Sequence, residues 1–181
     1  MATEPYSHEV SPQQPLSFDP IAQATQNWIN AGWGEQANGM AFVTSIMRTH
    51  QILIARVNAA LHPFKLSFAR FEVLMLLNFT KAGALPLGKI GQRLQVHPAS
   101  VTNAIDRLEV DGYVQRNPHP TDGRTTLAAI TPAGREIAHT AVTQLNECVF
   151  GRVGVKDNDV SAVVQMLAAL RGNAGDFTTV N

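Results

Sequence analysis

RNPHPTDGRTTLAAIT, residues 116–131, is the stretch that decides the fold. Its first half is rich in proline, aspartate and glycine, which favour tight turns. The segments on either side, GYV (112–114) and TTLAAI (125–130), have the extended, apolar pattern of β-strands. The stretch therefore predicts a β-hairpin that carries Arg116 and Arg124 at the two ends of its loop.

Two short helices precede this hairpin. The segment LGKIGQRLQV (87–96) predicts the first helix, and a sharp turn leads to the second, which Pro98 opens and Gly112 ends. At about 100° per residue, the second helix turns three apolar side chains inward: Val101, Ile105 and Leu108. Its opposite face carries Ala99, Thr102, Asn103 and Asp106, with Ser100 and Arg107 on the flanks. Two helices, a turn and a hairpin predict a winged helix-turn-helix whose second helix is the recognition helix.

Helical patterns also lie before this region. Asp19 and Pro20 predict the start of a first helix, and Gly32 or Gly34 its end. A long helix then runs from about residue 40 to Pro63. Its apolar residues cover more than one stripe, which indicates packing against its own domain on one side and a partner chain on the other.

Three further helices complete the expected fold. The first has Ser67 as its N-cap and Gly83 as its stop. Its buried face is predicted to consist of Phe71, Leu74, Met75 and Phe79. Thr131 predicts the N-cap of a helix that follows the hairpin, and a last apolar-striped helix covers about 157–171.

The composition limits the possible classes of protein. Lys and Arg together number 14, as do Asp and Glu, so a strongly basic nucleic-acid coat is excluded but a local basic feature is not. A single cysteine excludes an internal disulfide framework and fits a reducing compartment. Because there is neither a signal-peptide pattern nor an apolar run of about 18 residues, we expect a soluble cytoplasmic protein without membrane contact.

The recognition helix and the hairpin tip together favour DNA binding. Threonine and asparagine side chains can hydrogen-bond to base edges or phosphates in the major groove. Arg124 follows the turn dipeptide Asp122-Gly123, so the tip can present it to a narrow minor groove. Asp122 either orients the guanidinium of Arg124 or caps the turn. Taken singly, each feature also fits an ordinary solvated surface.

With these residues in place, the sequence resembles the MarR family of bacterial transcriptional regulators. DGRTTLAAIT (122–131) fits the wing signature of that family, with Asp122, Arg124 and Thr131 matching and Ile130 where leucine is usual. VHPASVTNAIDRLEVDGYVQR (96–116) is similar to the family's recognition helix and first wing strand, which ends in Arg116. The resemblance is close over residues 66–135. One departure is the segment LPLG (85–88), which lacks the Ser or Thr helix cap of many relatives.

The pattern and the resemblance together imply a mainly α-helical fold with a small β-hairpin wing, namely a winged helix-turn-helix flanked by N- and C-terminal dimerisation helices. The expected organisation has five parts: a flexible tail (1–16), N-terminal dimerisation helices (17–63), the winged helix-turn-helix DNA-binding domain (64–131), C-terminal dimerisation helices (132–171) and a second flexible tail (172–181).

The resemblance also implies a homodimer that binds double-stranded DNA at a pseudo-palindromic site. By analogy, Arg124 enters the minor groove, and the residues facing the major groove are Ser100, Thr102 and Asn103. Phosphate contacts are expected from Lys89, Arg93 and Arg107, and the remaining members of the predicted DNA-binding set are His97, Arg116 and Asp122. Segment 86–131 has five Lys or Arg and four Asp or Glu, so we expect modest non-specific affinity and a shallow salt dependence.

A small-molecule effector is a further implication of the resemblance. Relatives typically release DNA when a ligand binds between the dimer helices and the winged domain. The expected effector is aromatic, lipophilic or an acyl thioester, and the protein is expected to be a repressor. The candidate lining residues are Trp28, Trp33, Met47, His50, Phe64, Phe68 and Phe71. For each of them, plain core or dimer packing is the alternative interpretation.

Other functions have less support in the sequence. Redox sensing through Cys148 is one hypothesis, but the absence of an adjacent base favours a buried, inert thiol. A winged helix that binds protein and not DNA is another, supported by the neutral charge and by Asp106, Glu109 and Asp111 beside the recognition helix. The histidines lack metal-ligand spacing, and no phosphate loop or paired nucleophile and base is present. We therefore expect no metal, no cofactor and no enzymatic activity.

Overall fold

A computed structural model describes residues 15–178. Over this range it contains α1 (Pro20–Asn30), α2 (Gly34–Leu61), α3 (Phe68–Phe79), β1 (Ala84–Pro86), α4 (Leu87–Leu94), α5 (Pro98–Val110), β2 (Val114–Pro118), β3 (Thr126–Ile130), α6 (Pro132–Cys148) and α7 (Asp157–Asn173). Short 3-10 turns cover His62–Phe64 and Phe150–Arg152. The mainly helical class with a small antiparallel sheet is confirmed. The predicted N-terminal tail up to residue 14 lies outside the described residues.

The described part of the chain divides into two compact units, with the boundary between residues 53 and 54, inside α2. In the first unit, the predicted start of α1 is confirmed, since the Asp19 carboxylate accepts a hydrogen bond from the Ile21 amide at 2.9 Å. Helix α1 ends at Asn30, and Gly32 then adopts a positive φ of 88°. Helix α2 begins at Gly34, earlier than predicted, and has Glu35 in its first turn, where a negative charge is favourable.

The core of the second unit is formed by the end of α2, by α3, α4, α5 and α6, and by the sheet. Val101, Ile105 and Leu108 are buried, which confirms the predicted inner face of α5. On α6, the small residues Ala138 and Ala141 and the larger Leu145 are fully buried in the same cluster. Because α5 packs into the core through its inner face alone, its opposite face is exposed to solvent or to a ligand.

Three strands form the sheet, in the order β1-β3-β2, all antiparallel. The predicted hairpin is confirmed: Arg116 of β2 lies opposite Ala128 of β3. The third strand, β1, was not predicted, and it pairs Leu85 with Ala128. Since β1 runs directly into α4, with Pro86 at the N-cap position and no side-chain cap, the missing Ser or Thr in this segment is explained.

Helix α3 differs from the prediction at its C-terminal end. Ser67 caps its start as expected, but the helix ends at Phe79 and not at Gly83, which instead forms a turn with φ of 64° before β1. The predicted burial of Phe79 is wrong, because its side chain is 78% exposed. The inward stripe runs through Phe71, Leu74 and Leu77, and a residue two positions past Leu77 points to the opposite side of the helix.

Thr131 joins the start of α6 to the end of α5. Its hydroxyl accepts a hydrogen bond from the Gly134 amide at 3.0 Å and donates one to the Gly112 carbonyl at 2.8 Å. The predicted N-cap is therefore confirmed. The same side chain also fixes the turn that leads from the recognition helix into the wing.

We expect Thr131→Ala to lower the free energy of unfolding by about 1–2 kcal/mol, because both hydrogen bonds of the cap are lost. Thr143→Ala on the same helix is the matched control, since the Thr143 hydroxyl only donates to the His139 carbonyl within its own helix. This control should change stability by less than about 0.5 kcal/mol. Urea unfolding followed by circular dichroism measures both, and equal losses would contradict the capping role.

The end of α7 forms a defined turn where a frayed end was predicted. Gly175 has a positive φ of 77°, and the Asp176 amide donates to the Arg171 carbonyl at 3.0 Å, as in a Schellman cap. The guanidinium of Arg171 lies 5.4 Å from the centre of the Phe177 ring. Residues 172–177 are thus held by local contacts, which a composition-based prediction of the tail does not detect.

Candidate nucleic-acid interface

The outer face of α5 is exposed along its whole length. His97 caps the helix through its Nδ1 atom, which accepts a hydrogen bond from the Ala99 amide at 3.2 Å. The predicted base-reading residues Ser100, Thr102 and Asn103 are all exposed on the following turns. This face lines a groove of about 690 Å³. A second groove, of about 480 Å³, lies between α5 and the start of α3 and is lined by Ser67, Ala69, Arg70, Ser100, Asn103, Ala104 and Arg107.

The wing tip is shaped by the side chain of Asp122. Its carboxylate accepts hydrogen bonds from the Arg124 amide at 3.1 Å and from the Thr125 hydroxyl at 2.6 Å. Asp122 therefore caps the turn, the second of the two roles considered from the sequence. Gly123 does not have a positive φ, so the turn depends on the aspartate and not on glycine geometry.

The electrostatics of the wing tip follow from these hydrogen bonds. The bonds from Thr125 and from the Arg124 amide lower the pKa of Asp122. A lowered pKa means that the carboxylate stays ionised, and the turn stays capped, until the pH falls below the ordinary aspartate range. The Arg124 side chain is exposed and forms no ion pair among the described residues. It is free to meet a ligand.

Arg116, the second arginine of the hairpin, is held by the recognition helix. Its guanidinium pairs with both Asp106 and Glu109, and its amide donates to the other carboxylate oxygen of Glu109 at 2.9 Å. Partial burial lowers the pKa of Arg116, but the hydrogen bonds with Asp106 and Glu109 have the larger combined effect. The pKa of Arg116 is therefore raised above its ordinary value. Arg116 is therefore a permanent cation already engaged by two carboxylates.

A third groove, of about 740 Å³, lies between the wing and the start of α4. Lys89 and Arg124 line it from opposite sides, together with His119 and Asp122. Arg93 is exposed near the C-terminal end of the same helix. A further groove, lined by Gly88, Gln92 and Thr102 among others, connects the wing groove with the recognition face, so the two form one exposed region with cations at its edges. Such a region suits a polyanion such as nucleic acid, whose phosphates are bound by Lys and Arg side chains.

Comparison with known proteins agrees with this geometry. Residues 66–126 match the profile of the MarR family. The crystal structure of Sco5413, a MarR family transcriptional regulator from Streptomyces coelicolor, is 46% identical, with 78% of this chain and 99% of that chain covered at a TM-score of 0.72. The chain belongs to the MarR family of transcriptional regulators.

Two more distant relatives complete the comparison. An uncharacterised HTH-type transcriptional regulator from Mycobacterium leprae is 30% identical over 95 residues, which span 52% of this chain and 66% of that relative. Sco3205 from Streptomyces coelicolor, a MarR family protein whose structure is in complex with DNA, shares the fold. It is 19% identical, with 75% of this chain and 88% of that chain covered at a TM-score of 0.67.

The acidic residues of this MarR-family protein have partners within its fold. Asp106 and Glu109 pair with Arg116, and Asp111 lies 3.5 Å from Arg70. The Asp122 carboxylate is used by the wing turn. In contrast, four cations of the region have no ion pair among residues 15–178: Lys89, Arg93, Arg107 and Arg124. Because Arg70 lies outside segment 86–131, adding it gives this face six cations and four carboxylates, a net charge of +2 in place of +1.

The predicted effector residues fall in both compact units. Trp28 and Trp33 contact each other edge to face, with ring centres 5.4 Å apart, whereas Met47 and His50 are exposed on α2. In the other unit, Phe71 is buried and stacks on Phe68 at 6.3 Å, and Phe64 packs against the core. None of the seven residues lines any of the grooves described above. Their role in ligand binding stays a prediction.

Cys148 is exposed, so the predicted buried thiol is wrong. The inward stripe of α6 passes through Ala141 and Leu145 and reaches Val149, which leaves Cys148 on the flank. Its sulfur accepts a hydrogen bond from the Gln144 amide group at 3.1 Å. The redox hypothesis stays untested.

Neither a metal cluster nor a membrane helix is found in the part of the chain that the structure describes. No group of three or more His, Cys, Asp or Glu residues there could hold a metal ion. No helix between residues 15 and 178 is both long and apolar enough to cross a bilayer.

Sequence reasoning missed two residues of this surface, Arg70 and Val110, and the buried Gly134 behind it. Arg70 lines the groove beside Asn103, and Val110 is 84% exposed at the end of the recognition face. Gly134 lets α6 approach the Tyr113 carbonyl, since an added Cβ atom would lie 2.1 Å from that oxygen. The spacing of Asp106 and Glu109, three residues apart on a helix, indicates that they share a side, but nothing in the sequence indicates that Arg116 pairs with both.

Proposed function

We propose that this chain is a sequence-specific DNA-binding regulator that acts as a homodimer in the cytoplasm, represses transcription and has no catalytic role. The observation that carries the proposal is an exposed polar recognition face beside an exposed Arg124 at the wing tip that has no ion pair in the part of the chain the structure describes. A helix of this kind fits the major groove, and an arginine on a wing fits the adjacent minor groove. Sco3205, which shares the fold, has been solved in complex with DNA, and this supports DNA binding by analogy.

The individual roles follow from exposure and charge. Ser100, Thr102 and Asn103 read base edges, because their side chains leave the helix on the exposed side. His97 positions the start of the recognition helix. Phosphates are bound by the unpaired cations Lys89, Arg93 and Arg107, which carry no sequence information themselves. Asp122 acts indirectly by holding the wing turn.

Dimerisation is supported by apolar side chains exposed in each compact unit. On α2 these include Phe42, Val43, Met47 and Ile52. On α7 they include Val163, Val164, Met166 and Leu170. Stripes of this size on a soluble monomer are unusual and mark an interface with another chain. Sedimentation equilibrium should give twice the chain mass of 19.6 kDa. A monomer at micromolar concentration would contradict this part of the proposal.

Selection of bound fragments from a randomised duplex library tests the DNA-binding proposal directly. The native protein should enrich a motif with two-fold symmetry and half-sites about one helical turn apart. A variant with Ser100, Thr102 and Asn103 replaced by alanine should lose the motif while it still binds duplex weakly through phosphates. If the native protein enriches no sequence, the function proposed here is wrong and the protein-binding winged helix gains support. The pairing of Asp106, Glu109 and Asp111 within the fold weakens that alternative, since those carboxylates were its best evidence.

We also propose that a small aromatic or lipophilic effector releases the DNA. The chain has only two tryptophans, Trp28 and Trp33, so its tryptophan fluorescence reports on this segment alone. Titration with a hydroxybenzoate should change that fluorescence and release DNA over the same concentration range. A longer acyl thioester serves as the second probe. If neither compound changes the fluorescence or the DNA affinity, effector control through this segment is contradicted.

A further inference from the structure

We propose that Arg116 is a positioning residue, which ties the first wing strand to the recognition helix through Asp106 and Glu109 and does not itself bind DNA. This inference rests on the proposed DNA-binding function. It reassigns a residue that the sequence alone places in the DNA-contacting set. It also gives a role to two carboxylates on the recognition helix that would otherwise oppose a polyanion.

The geometry makes one connected unit of the helix and the wing. Glu109 uses one carboxylate oxygen for the Arg116 amide and the other for its guanidinium, and Asp106 takes a second guanidinium nitrogen. Arg116 lies in the middle of β2, opposite Ala128 of β3. The strand that continues to the wing tip is therefore fixed to the helix that reads the major groove. This fixes the angle at which Arg124 is presented.

The charges around Arg116 also favour a positioning role. Asp106 is exposed on the outer face of α5, in the groove lined by Thr102, Asn103 and Arg107. A free carboxylate there would repel phosphate at short range, whereas pairing with Arg116 screens its charge. The planar fork of an arginine holds two separate carboxylates in a fixed geometry, whereas the compact, flexible ammonium of a lysine imposes no such geometry. If Arg116 turned to a phosphate, it would leave two carboxylates unpaired at the DNA surface.

A double-mutant cycle separates positioning from direct phosphate binding. The four proteins are the native chain, Arg116→Gln, the pair Asp106→Asn with Glu109→Gln, and all three changes together. With its partners present, Arg116→Gln should weaken binding to the selected DNA about tenfold, because a bidentate network is broken. In the background without the two carboxylates, the same change should alter affinity by less than about twofold.

The salt dependence of DNA binding provides a second test, because it reports the number of phosphate contacts and does not change when a residue only positions the wing. Loss of a phosphate contact reduces the slope of log K against log salt by about 0.9 for each contact. Arg116→Gln should leave the slope unchanged, whereas Arg93→Gln, an exposed arginine without an ion pair, should reduce it in both backgrounds. Arg116→Lys should recover only part of the affinity. An equal loss with and without the carboxylates, together with a shallower slope, overturns the proposal.

Hydrogen exchange of the wing amides tests the positioning role of Arg116 without any DNA present. Arg116→Gln should speed exchange of the amides in β2 and β3, and it should do so only when Asp106 and Glu109 are present. If the native protein selects no DNA, the proposed function fails, but this measurement still tests whether Arg116 holds the wing. Unchanged wing protection in Arg116→Gln overturns the inference and leaves the proposed function standing.

Discussion

Replacing Arg124 with alanine is expected to weaken binding to the selected operator roughly 10- to 100-fold for each bound subunit, with the fold intact. The physical reason is that the Arg124 guanidinium has no ion-pair partner among residues 15–178. The Asp122 carboxylate is occupied by the Arg124 amide and the Thr125 hydroxyl, so the guanidinium is left for DNA. Minor-groove potential is most negative where the groove is narrow, and an inserted arginine gains most there.

The structure also indicates why the fold survives this change. Asp122 bonds the backbone amide of Arg124 and not its side chain, so alanine keeps the hydrogen bond that shapes the turn. Because the pKa of Asp122 is lowered, this cap persists through neutral and mildly acidic pH. Any loss of DNA binding at pH 7 therefore reports the missing guanidinium and not a collapsed wing.

Fluorescence anisotropy with a labelled duplex measures the effect, and two variants control it. Arg124→Lys keeps the charge but loses the planar fork, so an intermediate affinity is expected. Arg152→Ala removes the same charge beyond the far end of α6 and should leave affinity within about twofold, since a distant exposed charge is screened by salt. Equal affinities of the native protein and Arg124→Ala would refute the minor-groove role.

Local sequence signals account for the parts of the fold that were predicted correctly. The inner face of α5 followed from helical spacing, because Val101, Ile105 and Leu108 recur on one side. The start of α6 followed from Thr131 and Pro132, which act within one turn. These features depend on residues close together in the chain, so the sequence contains the information needed to predict them.

Features that depend on distant partners were missed. Strand β1 has only three residues and becomes a strand by pairing with β3, about 40 residues later. Cys148 and Phe79 were placed on the wrong side because the inward stripe of each helix is set by its neighbours and not by apolarity alone. For the candidate site, the residues on α5 and the wing were identified, but the engagement of Arg116 by two carboxylates became visible only in three dimensions.

Gly134→Ala is expected to destabilise the protein by about 3 kcal/mol or more, a large part of the stability of a typical domain. A Cβ atom at this position would lie 2.1 Å from the Tyr113 carbonyl oxygen and 2.9 Å from the Ile130 side chain. That carbonyl also accepts a hydrogen bond from the Thr131 amide at 3.0 Å. Relief of the clash requires α6 to move away and break the contacts that join it to the recognition helix.

The sign of this effect distinguishes packing from helix propensity. Alanine is a better helix former than glycine by about 1 kcal/mol, so propensity alone predicts a more stable protein. Gly88→Ala in α4 is the matched control, since a Cβ atom there meets nothing within 4 Å. Urea unfolding should show a lower midpoint for Gly134→Ala and an unchanged or slightly higher one for Gly88→Ala. A stabilised Gly134→Ala variant would mean that α6 does not approach Tyr113 this closely, and that the link between α6 and the recognition helix is looser than the contacts of Thr131 indicate.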